Sequence, residues 1–138
     1  MDRVKKLTIE KIILMIVCIV PFMGIGIWLI TLASAVCVIF GLLELLFSIL
    51  LAILGWFSVS LKEYNYLGKK IIVYCGAFHH YLEVEGEIID EHNTISSFTP
   101  IVLSGTDKDG AVYNATISLT ARITLKIDNK LYDGKYLA

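Results

Sequence analysis

Residues 12–58 read IILMIVCIVPFMGIGIWLITLASAVCVIFGLLELLFSILLAILGWFS, and from Ile12 to Ser60 the one charged side chain is Glu44. A helix needs about 20 residues to cross a hydrocarbon core of ~30 Å. The stretch is much too long for one crossing and about right for two joined by a tight turn. The reading places one transmembrane helix at 12–32 and another at 36–57, with the turn near Thr31, Ala33 and Ser34. A turn at Gly24–Gly26, just after Pro21, would instead make a re-entrant hairpin and ranks second. Ala33-Ser34-Ala35 resembles a signal-cleavage site, but the apolar run before it exceeds a signal h-region and a second run follows at once. Cleavage is therefore not expected.

The flanks give an orientation. Arg3, Lys5, Lys6 and Lys11 precede the first helix, and Lys62, Lys69 and Lys70 follow the second. Basic flanks stay in the cytoplasm, and two crossings keep both sets there. Trp28 and Trp56 are placed as interface anchors. The expectation is a multi-pass cell-membrane protein with both termini cytoplasmic and the lipid bilayer as its first partner.

The second helix carries a pattern. Ser34, Cys37, Gly41, Glu44, Ser48, Ala52 and Gly55 recur at spacings of three and four, so they form one stripe of small or polar side chains. Membrane helices associate through small residues and interhelical hydrogen bonds, so the stripe predicts a packing face. Its partner is helix one, another copy of the chain, or a partner protein's helix. Glu44 near mid-membrane costs roughly 2.5–3.5 kcal/mol if charged, so it should be protonated, paired or wet. Thr31, Ser34 or a backbone carbonyl are its candidate partners inside the pair.

Composition agrees with this division. The mean hydropathy of +0.73 is too high for a soluble chain, and the excess lies in one place. Net charge is −1, so charge suggests no nucleic-acid partner. Lysine outnumbers arginine ten to two, a composition associated with AT-rich bacterial genomes. Cys18, Cys37 and Cys75 have no motif spacing and read as free thiols in a reducing compartment.

Beyond Ser60 the period becomes alternating, as in an all-β unit. Lys70–Cys75 reads as the first strand. Tyr81–Glu85 follows, and Gly86 turns the chain into Glu87–Ile89 before a polar loop from Asp90 to Thr94. Ile101–Ser104 comes after Pro100, which keeps its start at a sheet edge. Asp107-Lys108-Asp109-Gly110 is a hairpin turn. Tyr113, Ala115, Ile117 and Leu119 share one face, as do Ile123, Leu125 and Ile127, and Asp128-Asn129-Lys130 turns the chain toward Leu131 and Tyr132. The expected fold class is a membrane α-helical hairpin followed by a small antiparallel β-sandwich or barrel-like domain. Its parts are a basic N-terminus at 1–11, the hairpin at 12–58, a juxtamembrane linker at 59–69 and the β-domain at 70–138.

Three features of the β half carry a family resemblance: Leu82-Glu83-Val84-Glu85-Gly86-Glu87, Ala115-Thr116-Ile117-Ser118, and the closing strand and turn Thr124-Leu125-Lys126-Ile127-Asp128-Asn129-Lys130. Residues 70–136 resemble the β-sandwich of the Fas apoptotic inhibitory molecule family. Asn129 stands where that family tends to have Gly, and the membrane hairpin is foreign to its usual form. The resemblance implies protein binding without catalysis and carries over no functional residue.

Little in the β half has the pattern of chemistry. His79-His80, with Cys75 and His92, is the one candidate metal cluster, but adjacent strand residues point to opposite faces, and surface turn histidines are expected. Glu83, Glu85 and Glu87 would form a carboxylate row on a continuous strand, a solvated edge rather than an opposed catalytic pair. Asp107 and Asp109 lack the rest of a calcium loop. The Asn114-Ala115-Thr116 sequon falls in a strand on the cytoplasmic side. No catalytic residue, metal ligand or cofactor is expected. The expected function is a non-enzymatic membrane-anchored protein-binding module of adaptor, inhibitor or immunity type. The alternatives are an oligomeric channel or transporter subunit using the Glu44 face, and a structural anchor within a larger membrane complex.

Overall fold

The computed structural model describes residues 2–32, 34–94 and 100–137. Ala33, named in the expected interhelical turn, lies outside them. The chain divides into two compact units, Ile9–Phe57 and the combination of Met1–Thr8 with Ser58–Ala138.

In the first unit, helix α1 spans Arg3–Thr31 and helix α2 spans Ala35–Trp56. Both are long and apolar enough to cross a membrane. Helix α1 continues through Pro21 and the following glycines, so the chain makes no re-entrant turn there. It also starts nine residues before the expected Ile12, because the charged opening turns are themselves helical. Between the helices, Ser34 is extended (φ −81°, ψ 137°), and its carbonyl accepts the Val38 N–H at 2.9 Å to start α2.

The two helices meet where they carry no side chain. Glycine lacks a Cβ, so two backbones can approach closely. A Cβ on Gly41 would lie 2.7 Å from the Gly26 carbonyl oxygen, and one on Gly26 would lie 3.1 Å from the Gly41 carbonyl oxygen. Below this crossing Ser48 and Ala52 are buried, and Phe22 meets Phe47 edge to face at 5.9 Å. The remaining faces, among them Ile16, Val17, Leu42, Leu46 and Ile53, are exposed.

Among the described residues the second unit has nine strands: β1 Ser60–Tyr66, β2 Lys69–Cys75, β3 His80–Val84, β4 Glu87–His92, β5 Ile101–Thr106, β6 Val112–Ile117, β7 Ile123–Ile127, β8 Lys130–Tyr132 and β9 Lys135–Tyr136. They form two antiparallel sheets, ordered β4-β3-β2-β1-β9 and β5-β6-β7-β8. The sheets are open, so the barrel-like alternative does not hold. One core joins Tyr64, Ile71, Val73, Leu82 and Val84 of the first sheet to Leu103, Tyr113, Ala115, Ile123 and Leu125 of the second.

Residues 60–66, expected as linker, are strand β1 paired along its length with β2. Its inward side chains are polar or aromatic, so it lacks an aliphatic alternation. Ser60 Oγ donates to the Ala121 carbonyl at 2.6 Å, Lys62 Nζ to the Ile123 carbonyl at 3.1 Å, and Tyr64 enters the core. Strand β4 runs on to His92, through residues expected as loop, because Asp90 and Glu91 pair with Leu82 and Tyr81. Leu119, expected on the buried face of β6, lies beyond its last residue and is exposed.

The turns divide between two ends. Leu67-Gly68, Glu85-Gly86 and Asp128-Asn129 are two-residue hairpin turns with φ between 50° and 85°, the conformation that matches strand twist. Together with Asp107–Gly110 they form the Lys69 end of the unit. The 76–79 and 118–122 connections lie at the opposite Ser60 end, as the pairings Ser60–Cys75 and Ile117–Ile123 require.

Because backbone fills the crossing, Gly41→Leu should destabilise the helix pair by about 1–3 kcal/mol. Gly55→Leu, where a Cβ meets nothing within 4 Å, should cost far less. Unfolding of both variants in lipid micelles, compared with the parent chain, checks this.

Candidate functional site

The stripe of α2 is partly a seam. Gly41, Ser48 and Ala52 are buried, Cys37, Glu44 and Gly55 are half-buried, and Ser34 is exposed ahead of the helix. The polar groups near Glu44 bond locally instead of to its carboxyl. Ser48 Oγ donates to the Glu44 backbone carbonyl at 2.9 Å, and Thr31 Oγ1 donates to the Trp28 carbonyl at 2.6 Å. Ser34 makes no side-chain cap bond. Among the described residues, the Glu44 carboxyl has no hydrogen bond or ion pair.

The basic flanks are built into the folded units. Strand β3 is buried along its whole length, so the face of its sheet that looks away from the core is also covered. Leu61, Ile72, Tyr74 and Tyr81 lie on that face, and the opening turns of α1 meet it. Arg3 bonds Glu83 at 2.5 Å, and Lys6 Nζ stands 5.8 Å from the centre of the Tyr74 ring. Tyr74 in turn stacks on Tyr81 at 4.8 Å. Leu7 is fully buried, whereas Lys5 is exposed. Lys11 lies over the Trp56 ring at 5.0 Å, Lys62 lies between the rings of Tyr64 and Tyr136, and Lys70 faces Glu63 at 3.5 Å.

The densest polar cluster sits at the Lys69 end. Lys69 Nζ donates to Asp107 Oδ2 at 2.9 Å and pairs with Asp109, and the Tyr113 hydroxyl donates to Asp107 Oδ2 at 2.6 Å. Asp107 Oδ1 accepts the backbone N–H groups of Asp109 and Ala111 at 2.9 and 3.0 Å. Bonds from Tyr113 and Lys69 hold the Asp107 carboxyl well below the usual carboxylate range. The bonds that Lys69 donates to Asp109 and Asp107 raise its ammonium above the usual lysine range. Burial, reinforced by the bond to Asp107, raises the Tyr113 phenol. Beside the cluster lies an open depression of about 310 Å³ lined by Val84, Glu85, Glu87, Ile89, Thr106 and Lys108. Sequence spacing did not indicate the cluster, because Lys69 and Asp107 are 38 residues apart.

Two expectations are corrected. His80 is fully buried in β3, with Nε2 3.1 Å from the Thr94 carbonyl, so it is not a surface turn histidine. His79 pairs with Glu91 at 3.0 Å. Glu83, Glu85 and Glu87 form no row, because β3 ends at Val84, Glu85 lies in the turn at φ 50°, and Glu83 is buried against Arg3. Among the described residues no three His, Cys, Asp or Glu side chains lie close enough to hold a metal. No family model, curated protein or solved structure matches the chain.

The Lys69 cluster makes stability depend on pH at both limits. Asp107 is depressed, so its contribution is present above about pH 4 and is lost as pH falls through its folded value. Lys69 and Tyr113 are raised, so theirs is present below about pH 10 and is lost on further alkalinisation. Thermal unfolding of the full chain in micelles should show both limbs, and Asp107→Asn should flatten the acid one.

Proposed function

We propose that the chain is a non-catalytic, membrane-anchored protein-binding module at the inner face of a bacterial membrane. One observation carries the reading: residues 9–57 form a pair of helices with apolar outward faces, while the residues on both sides of them fold into a single β-rich unit. Monomeric proteins in water rarely expose contiguous apolar patches beyond a few hundred Å², whereas a bilayer covers such faces. A pair that crosses twice returns the chain to the side it left, in keeping with residues 2–8 packing against the β strands. The flanking Arg3, Lys5, Lys6, Lys62, Lys69 and Lys70 favour the cytoplasmic side.

The Lys69 end is the surface best suited to a protein partner. Its depression is open and charged, rimmed by Glu87 and Lys108, with Leu67 beside it 81% exposed. Catalysis is a poor fit, because both oxygens of Asp107 and the Lys69 ammonium already bond within the fold. An immunity or accessory protein that neutralises a membrane-acting toxin is one form of this activity; the resemblance to the Fas apoptotic inhibitory molecule family implies only protein binding without catalysis.

The competing reading, an oligomeric channel or transporter subunit, has the half-buried Glu44 carboxyl in its favour. Two helices enclose no pathway by themselves, so it requires several copies.

Photo-crosslinking residues placed at 67, 87 and 108 in native membranes should give protein adducts. The same groups at Asn114 and Lys126, on the outer face of the second sheet, should not. The binding reading is abandoned if the first set gives no adduct under conditions that trap neighbours. Ion flux in liposomes that disappears with Glu44→Gln would establish the channel reading instead.

A further inference from the structure

The depression beside Lys69 lies between two segments of the β unit, residues 84–89 of the first sheet and 106–109 of the second. Val84 and the half-buried Ile89 supply its apolar wall. Four carboxylates and two ammonium groups line the rest, an excess of two negative charges in a chain whose net charge is only −1. Its volume of about 310 Å³ is at the small end of ligand-binding clefts, room for one large side chain.

These charges are not equally available. Asp107 is committed to Tyr113, Lys69 and two backbone N–H groups, and Lys69 is held between Asp107 and Asp109. Lys108 faces Glu87 at 3.5 Å, but both side chains are largely exposed, and such a pair contributes little in water. Among the described residues, the Glu85 carboxylate has no hydrogen bond or ion pair.

Glu85 also occupies a position that does not favour glutamate. It opens the two-residue turn between β3 and β4 at φ 50°, a region that asparagine and glycine enter far more readily. Its N–H donates to the Lys70 carbonyl at 2.9 Å, so the turn is fixed in place. A charged side chain that breaks a local rule and touches nothing inside the fold points to a contact outside it. That contact is not a metal ion, since no three His, Cys, Asp or Glu side chains converge closely enough among the described residues. Carboxylates spread around a rim suit a charge that is itself spread. Guanidinium is a planar fork of several donors, and an arginine stem packs well on an apolar wall, whereas a lysine ammonium is a compact point.

We propose that this depression receives an arginine side chain carried by a protein partner, its guanidinium between Glu85 and Glu87 and its stem against Val84 and Ile89. This rests on the protein-binding reading above and names the chemistry of the partner. Lys108 gives up Glu87 to the incoming group, while Asp109 stays with Lys69.

The test uses the full nitrogen-15-labelled chain in micelles of an uncharged detergent, titrated with the peptide acetyl-Gly-Gly-Arg-Gly-Gly-amide and its lysine and citrulline counterparts. The arginine peptide should shift the amides of residues 85–89 and 106–109 saturably and leave 114 and 126 unmoved. Lysine should bind several-fold more weakly. Citrulline, which keeps the shape and loses the charge, should bind about tenfold more weakly. Glu85→Asn should weaken arginine binding about tenfold without lowering the thermal midpoint, because Asn-Gly is a favoured pair for this turn. Glu87→Gln, which leaves the turn untouched, should weaken it similarly, and Lys108→Ala should strengthen it several-fold. Equal binding of citrulline, an unchanged affinity in both glutamate variants, or shifts spread equally over 114 and 126 would overturn the proposal. If no peptide saturates while crosslinks at 67, 87 and 108 still trap a protein, the arginine site fails and the binding reading survives. Saturable arginine binding without any adduct in native membranes would overturn both.

Discussion

A sheet buried on both faces needs a layer against each, and in this protein the second layer comes from the other end of the chain. The second sheet covers one side of β2 and β3 through the shared core. On the other side lie Leu61, Ile72, Tyr74, Tyr81 and the carboxylate of Glu83, which is 6% exposed. A buried carboxylate without a counter-charge carries a desolvation penalty of several kcal/mol. Arg3 supplies that charge across a sequence separation of 80 residues. The opening turns of α1 are therefore part of the β unit's structure, and Glu83 can be buried favourably only when they are in place. That dependence couples the start of the chain to the folding of residues that follow the helix pair.

The contacts between the two sheets are also arranged to hold the ends. At the Ser60 end, Ser60 and Lys62 reach across to carbonyls of the 121–123 segment, and the Tyr136 hydroxyl accepts the Ile123 N–H at 3.0 Å. At the other end, the Lys69 ammonium and the Asp107 carboxylate tie the first hairpin of one sheet to the first hairpin of the other. Between them Ile89 of β4 fills the space that a side chain at Gly105 of β5 would need. The sheets thus remain open as hydrogen-bonded ladders while side chains fasten them at both ends and at one edge.

Much of this was legible in the sequence, and the gaps have physical causes. Charge-free apolar residues cannot be mistaken for a solvated surface, so both helices stood out, and the three-and-four spacing singled out Gly41, Ser48 and Ala52. The alternation of Ile123, Leu125 and Ile127 marked a strand with one wet face. Strand β1 escaped notice because Ser60 and Lys62 point inward and satisfy carbonyls there, so no aliphatic period survives. Strand β3 misled differently, because Tyr81–Glu85 alternates as a strand with one wet face does, yet both of its faces are covered, so Glu83 and His80 looked exposed. The opening of α1 looked like a solvated basic flank because Leu7 alone reports its buried side. The Lys69 cluster could not be read at all, since its partners meet only after two hairpins pack together.

Glu44 shows how the same packing that closes the helix pair leaves it incomplete. The Gly26–Gly41 contact brings the backbones together without adding a polar side chain to the seam. The hydroxyls nearest in sequence are committed, Ser48 to the carbonyl of Glu44 itself and Thr31 to that of Trp28. Such bonds to the preceding turn satisfy a hydroxyl inside its own helix and withdraw it from neighbours. If the pair lies in a bilayer, the roughly 2.5–3.5 kcal/mol cost of a charged carboxyl at the helix centre is not offset by any described residue of the chain. Protonation, water or another polypeptide must then offset it.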